Sequence, residues 1–174
     1  MSLYLINSII NQIQELRDVL YVFKRSKTSA FVDSDDDPSS WPITYPDNAL
    51  GCPVHGIATV LDSGSASTDY LIVATYQGIM LFTGRYLDPE LSWKVDDLWG
   101  NQDSNEFSKI QMVNLPIKSE LYCVLTDGRI LVGNYSKGLN QKVIRWAPWR
   151  FNINVTCIAV VNIEDVIIGA DTNA

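Results

Sequence analysis

The stretch Glu120-Leu121-Tyr122-Cys123-Val124-Leu125-Thr126-Asp127-Gly128-Arg129-Ile130-Leu131-Val132 decides the fold. An acid leads into an apolar run, an Asp-Gly pair interrupts it, and a second apolar run follows. Asp-Gly between two such runs is a strong hairpin signal, because glycine supplies the positive φ that a tight turn requires. The same order recurs upstream, where Asp69-Tyr70-Leu71-Ile72-Val73 is followed by Gln77-Gly78 and Ile79-Met80-Leu81-Phe82. A looser copy has Asp18-Val19-Leu20-Tyr21-Val22, then Lys27-Thr28 and Ser29-Ala30-Phe31-Val32. Asp165-Val166-Ile167-Ile168-Gly169 opens a fourth. The leading acids are separated by 51, 51 and 45 residues.

Each hairpin is preceded by a further apolar run, seen in Ile57-Ala58-Thr59-Val60-Leu61, Ile110-Gln111-Met112-Val113 and Ile158-Ala159-Val160-Val161. Each of the first three is followed by a tryptophan, in Trp41-Pro42-Ile43, Trp93-Lys94-Val95 and Trp146-Ala147-Pro148. The unit is then four antiparallel strands with a period near 51, the sequence signature of propeller blades. The expected fold is all-β, a partial β-propeller of about three and a half four-stranded antiparallel blades in one domain. The blades fall at about 6–46, 54–99 and 107–151, with a half-blade at 155–174. The repeat places Trp41, Trp93 and Trp146 in equivalent surroundings, buried between blades on their fourth strands.

The N-terminal stretch carries two patterns. Leu5, Ile6, Ile9, Ile10, Ile13 and Leu16 lie at helical spacing. The repeat register instead assigns Ile10 to Ile13 to a first strand, which their β-branched side chains suit, and the strand is the reading adopted. The polar segments 33–40 and 100–106 read as loops at blade edges.

Composition narrows the function classes. The chain has 174 residues, 47% hydrophobic, with 13 basic against 20 acidic side chains and a formal charge of −7. That balance argues against nucleic acid as the main partner, since phosphate binding needs a basic face. No run approaches the length of a membrane span, so no membrane partner is expected. Cys52, Cys123 and Cys157 lack metal-ligand spacing, and no metal site or cofactor is expected.

Catalytic patterns are weak. The lone His55 has no Gly-x-Ser-x-Gly nucleophile elbow beside it and reads as a structural histidine near a turn. In the run Asp33, Asp35, Asp36, Asp37, a calcium loop would need Gly and Glu where Pro38 and Thr44 stand. Glycosidase chemistry would draw on Glu90, Asp96, Asp97, Arg85, Arg129, Arg145 and Arg150. The acids at 18, 69, 120 and 165 recur, as structural residues do, whereas a catalytic acid occurs once. No catalytic residue is assigned. Arg145, Trp149 and Arg150 form the candidate contact patch, because Arg145-Trp146-Ala147-Pro148-Trp149-Arg150 places arginine where it can stack on an indole outside the repeated position.

Three segments carry a resemblance: Val54-His55-Gly56-Ile57-Ala58-Thr59-Val60-Leu61-Asp62-Ser63-Gly64, Pro89-Glu90-Leu91-Ser92-Trp93-Lys94 and Ile144-Arg145-Trp146-Ala147-Pro148-Trp149. They resemble virion-associated propeller proteins of environmental tailed phages, a type similar to the tail nozzle (tubular) proteins of short-tailed phages. The resemblance implies a structural or interaction role in a virion, with protein partners or self-association through blade edges. It transfers no catalytic residue. Since the last repeat stops after two strands, the expectation is either a piece of a longer protein or a homodimer completing a seven-bladed ring. The competing expectation is a carbohydrate-binding or glycoside-acting propeller, which needs two carboxylates in a cleft beside an exposed aromatic ring.

Overall fold

A computed structural model describes residues 9–34, 37–62, 68–87, 91–136, 139, 144–162 and 164–171. Four sheets follow one another along the chain. The first comprises β1 (Ile10–Leu16), β2 (Val19–Lys24), β3 (Thr28–Val32) and β4 (Ile43–Asp47). The second comprises β5 (Ile57–Asp62), β6 (Thr68–Ala74), β7 (Ile79–Phe82) and β8 (Tyr86–Leu87). The third comprises β9 (Gln111–Leu115), β10 (Glu120–Val124), β11 (Ile130–Asn134) and β12 (Arg145–Trp149), and the fourth pairs β13 (Asn154–Val161) with β14 (Asp165–Asp171). Within each sheet the strands lie in sequence order and pair antiparallel. The fold is an all-β partial propeller. At Ile10–Leu16 the chain is a strand, so the repeat register prevails there over the helical spacing.

The continuous apolar runs follow from packing on both faces, as in any sheet covered on its two sides. Leu71 and Val73 of β6 point to the first sheet, joining Leu16, Tyr21, Phe23 and Ala30. Their neighbours Ile72 and Ala74 point the other way, to Met112, Leu121, Cys123 and Leu131 of the third sheet. In β10, Leu121 and Cys123 face the second sheet, while Tyr122 and Val124 pack on Val155 and Ile158 of the fourth. Three cores therefore separate four stacked sheets.

The first strands lie innermost. A parallel bridge joins His55, at the entrance to β5, to Gln111 of β9, and the Met112 N–H donates to the His55 carbonyl at 2.8 Å. Side-chain amides continue this stitching. Asn114 Nδ2 donates to the Thr59 carbonyl (3.0 Å), Gln111 Nε2 to Thr156 (3.3 Å) and Asn11 Nδ2 to Cys52 (2.6 Å). These amides occupy carbonyls at the inner rim that the antiparallel ladders do not use.

The tryptophan equivalence fails. Trp146 lies within β12 and its Nε1 donates to the Leu91 carbonyl of the second unit at 2.7 Å. Trp41 follows a 3₁₀ turn at Pro38–Ser40 and lines a groove on the outward side of the first sheet. Trp93 sits in the 3₁₀ turn Trp93–Val95, is 53% exposed, and has the Lys94 ammonium 5.2 Å from its ring centroid. Trp93 departs because the fourth strand of its unit is only two residues long. Beyond it Leu91 N–H donates to Ile79 O, and Ile79 N–H to Ser92 Oγ, before the chain turns helical. The short helix α1 (Asp96–Gly100) inserts Trp99 instead, which is buried with its Nε1 donating to the Thr75 carbonyl at 3.1 Å. The repeat rests on the strand registers, which the indoles do not share. Among the described residues no helix is long and apolar enough to cross a membrane.

Candidate functional site

The residues Arg145, Trp149 and Arg150 occupy β12, the outermost strand of the third sheet, and the position just after it. Register sets their arrangement, since Arg145 pairs with Asn134, Trp146 with Gly133 and Trp149 with Ile130. Gly133 is required there, because a Cβ would lie 2.4 Å from Trp146 Cζ3 and 2.8 Å from Ile144 Cγ2. Arg145 and Arg150 stand at opposite ends of the strand, roughly 17 Å apart at the usual rise per residue. Trp149 is 45% exposed and meets Tyr122 edge-on, with centroids 5.9 Å apart at 78°. The expected arginine stacking on Trp149 is not formed. The cation–π contacts of the described residues are Arg25 with Tyr76, Lys27 with Tyr45, and Lys94 with Trp93.

Arg150 instead lines an open groove of about 510 Å³ with Asp127, Arg129, Phe151, Asn152, Ile153 and Asn154. One wall is the β10–β11 turn, the other the link from β12 to β13. In the turn, Arg129 Nε donates to Asp127 Oδ2 at 2.7 Å and Nη2 approaches the same oxygen at 2.6 Å. Burial works to raise the Asp127 pKa, but the hydrogen bonds and charge of Arg129 outweigh it and hold the carboxyl below its ordinary value. Gly128, at φ 76°, closes the turn, and a Cβ there would meet Asn154 Oδ1 at 2.0 Å. Asp127-Gly128 thus forms the hairpin that its sequence predicts. What the sequence does not reveal is that the turn faces Arg150, because that depends on β11–β12 register across a connection of ten residues.

A second opening lies at the inner rim, where Gln12, His55, Ile57, Gln111, Met112, Val113 and Ile158 surround about 330 Å³. The backbone of His55 ties the second sheet to the third, which is a different role from the satisfied structural side chain expected there. Its side chain is exposed and has no hydrogen-bond partner among the described residues. The remaining candidates scatter. Asp96 and Asp97 open α1, Arg85 precedes β8, and Glu90, Asp35 and Asp36 lie outside the described residues. Asp37 caps the 3₁₀ turn by accepting from Ser39 N–H at 2.9 Å, which lowers its pKa. Among the described residues no three His, Cys, Asp or Glu side chains are grouped to hold a metal ion.

Buried ionisable groups serve the core. Burial pushes the Cys52 and Cys123 thiols up to about 12. The Tyr122 phenol is also pushed up to about 12, first by burial and then by its 2.7 Å hydrogen bond to Glu120 Oε2. A phenol whose pKa is higher in the folded state than its ordinary ~10 is held protonated by folding. Its contribution is complete below pH ~10 and lost as pH rises towards 12. Urea midpoints measured between those limits are expected to fall less steeply in Tyr122→Phe than in the parent chain.

No protein-family model matches the chain, and no curated protein matches it.

Proposed function

We propose that the chain is a structural or protein-interaction module, a set of propeller blades that associates through the outward faces of its first and last sheets. One observation carries this reading. On β13–β14, Val155, Ile158, Val160, Val166 and Ile168 pack on the third sheet, whereas Cys157, Ala159, Val161 and Ile167 point outward and are exposed. Ile167 is 55% exposed, and Ile13, on the outward side of the first sheet, 50%. In the central strands β6, β7, β10 and β11 side chains of this kind are buried between sheets. Exposed aliphatic surface on a regular sheet is what a protein partner covers. A virion setting is supported by the resemblance of the Val54, Pro89 and Ile144 segments to phage propeller proteins.

The partner is either another protein or a second copy of the chain. Charge separates the two cases. Acids fringe both faces, with Glu15, Asp18 and Asp33 at the first groove and Glu164, Asp165 and Asp171 along the β13–β14 hairpin. Bringing these fringes together is opposed at low ionic strength and eased by screening. Self-association is therefore expected to strengthen with added salt. The test combines light scattering with alkylation of Cys157, the exposed cysteine of the three. A mass that doubles from 19.5 kDa while Cys157 labelling slows about tenfold supports pairing of two copies. A monomer whose Cys157 is protected only by a co-purifying protein supports a different partner. A monomer at every salt concentration, with Cys157 open and a reversible melt above about 65 °C, overturns the proposal, because faces that stable need no cover.

A further inference from the structure

We propose that the groove between the β10–β11 turn and the β12–β13 link docks an acidic peptide segment of a protein partner, with Arg150 as the principal carboxylate anchor. This inference rests on the interaction-module reading and gives it a contact away from the two outward sheet faces.

Register brings two arginines to the lining of one groove. Ile130 and Trp149 are paired, so Arg129, just before β11, stands across from Arg150, just after β12. Arg129 is partly committed to Asp127. Arg150 is exposed and has no ion pair among the described residues. The groove therefore carries two cations against one anion, a local excess of positive charge on a chain whose formal charge is −7. At physiological salt, charges beyond about 8 Å are largely screened, so a short acidic segment responds to the groove rather than to the whole molecule.

The lining selects among anions. Asn152 and Asn154 offer amides of the kind that pair with peptide backbone, and Ile153, 53% exposed, offers an aliphatic contact beside the arginines. The ring of Phe151 is half-buried against the core that holds Tyr122, Val124 and Ile130, which reduces the face it offers for stacking a sugar. Asp127 stays ionised within the groove, so the two arginines leave about one positive charge over, which suits a single carboxylate better than a polyphosphate or nucleic acid. A single carboxylate with an apolar neighbour fits this set. Arginine is suited to the anchor role because its planar fork meets both carboxylate oxygens.

The test is amide chemical-shift titration of the whole chain with acetyl-Glu-Val-Glu-Val-Glu-Val-amide. The same peptide with lysine for glutamate and an oligogalacturonate serve as the other two probes. The expected result is saturable binding of the acidic peptide with Kd near or below ~1 mM at low salt, with shifts centred on residues 127–129 and 150–154. Arg150→Gln should weaken it about tenfold, and Arg145→Gln, at the far end of β12, should leave it unchanged. Binding of the lysine peptide as tightly, indifference to Arg150→Gln, tighter binding of the galacturonate, or no shift at all would each overturn the inference. The mass and the Cys157 labelling of Arg150→Gln are read alongside. If they match the parent while peptide binding is lost, the groove and the sheet faces act independently, so failure of one reading is distinguishable from failure of the other.

Discussion

Phe82→Ala is expected to lower stability by about 3–5 kcal/mol, the usual cost of truncating a fully buried phenylalanine. Phe82 is completely buried and sits at the centre of four rings between the first and second sheets. Tyr21 lies 4.9 Å from it at 85°, Phe23 5.4 Å at 70° and Tyr86 5.0 Å at 66°, all edge-to-face. Removing the central ring takes a partner from each of the other three and leaves a space that backbone pairing prevents from closing. For a chain of this size the melting temperature should fall by roughly 6–20 °C. Because the rings join only these two sheets, hydrogen exchange should speed most in β1–β4. Uniform acceleration along the chain would show that the sheets unfold as one unit and that no junction can be loosened alone.

Trp99→Ala is expected to cost a similar ~3–5 kcal/mol, at the next junction. The indole fills the space beside the Thr75–Gly78 turn, donates to the Thr75 carbonyl and meets Phe107 edge-on at 6.1 Å. Tyr76 stacks on Phe107 at 4.0 Å and carries the Arg25 guanidinium 5.3 Å from its centroid, so the contacts run from the first sheet to the approach to the third. Trp99→Phe should recover part of the loss by refilling volume, while the Thr75 carbonyl stays unpaired. Calorimetry on both variants checks this. A loss below about 1 kcal/mol in Trp99→Ala would mean that α1 is an appendage to the second sheet and not its outer cover.

Much of the fold can be read in the sequence, and the reason is chemical. Strands β6 and β10 bury both faces, so Leu71-Ile72-Val73-Ala74 and Leu121-Tyr122-Cys123-Val124 appear as unbroken apolar runs, and Asp127-Gly128 marks the turn that follows the second. The tryptophans mislead for an equally physical reason. Spacings of 52 and 53 residues measure the length of a unit, and units of similar length can place the same residue type in a strand, a turn or a helix. In the second unit the role assigned to Trp93 passes to Trp99, six residues later, because a helix covers the edge that a full fourth strand would have covered. The site is less legible still. Arg150 is visible as an exposed arginine, but its neighbours Arg129 and Asp127 lie about twenty residues earlier and arrive through strand pairing, which no local pattern encodes.

The acids at 18, 69, 120 and 165 stand at or next to the start of the second strand in every unit, with backbone surroundings that differ: Asp18 is left-handed at φ 60°, and Glu120 follows Ser119 at φ 53°. Their recurrence bears on the chain before it folds. Each guards the mouth of an uncharged β-prone segment of the sort that pairs between molecules when exposed on the ribosome or after heating. A negative charge at the same place in every copy opposes parallel, in-register association of two nascent chains, because it brings carboxylate against carboxylate.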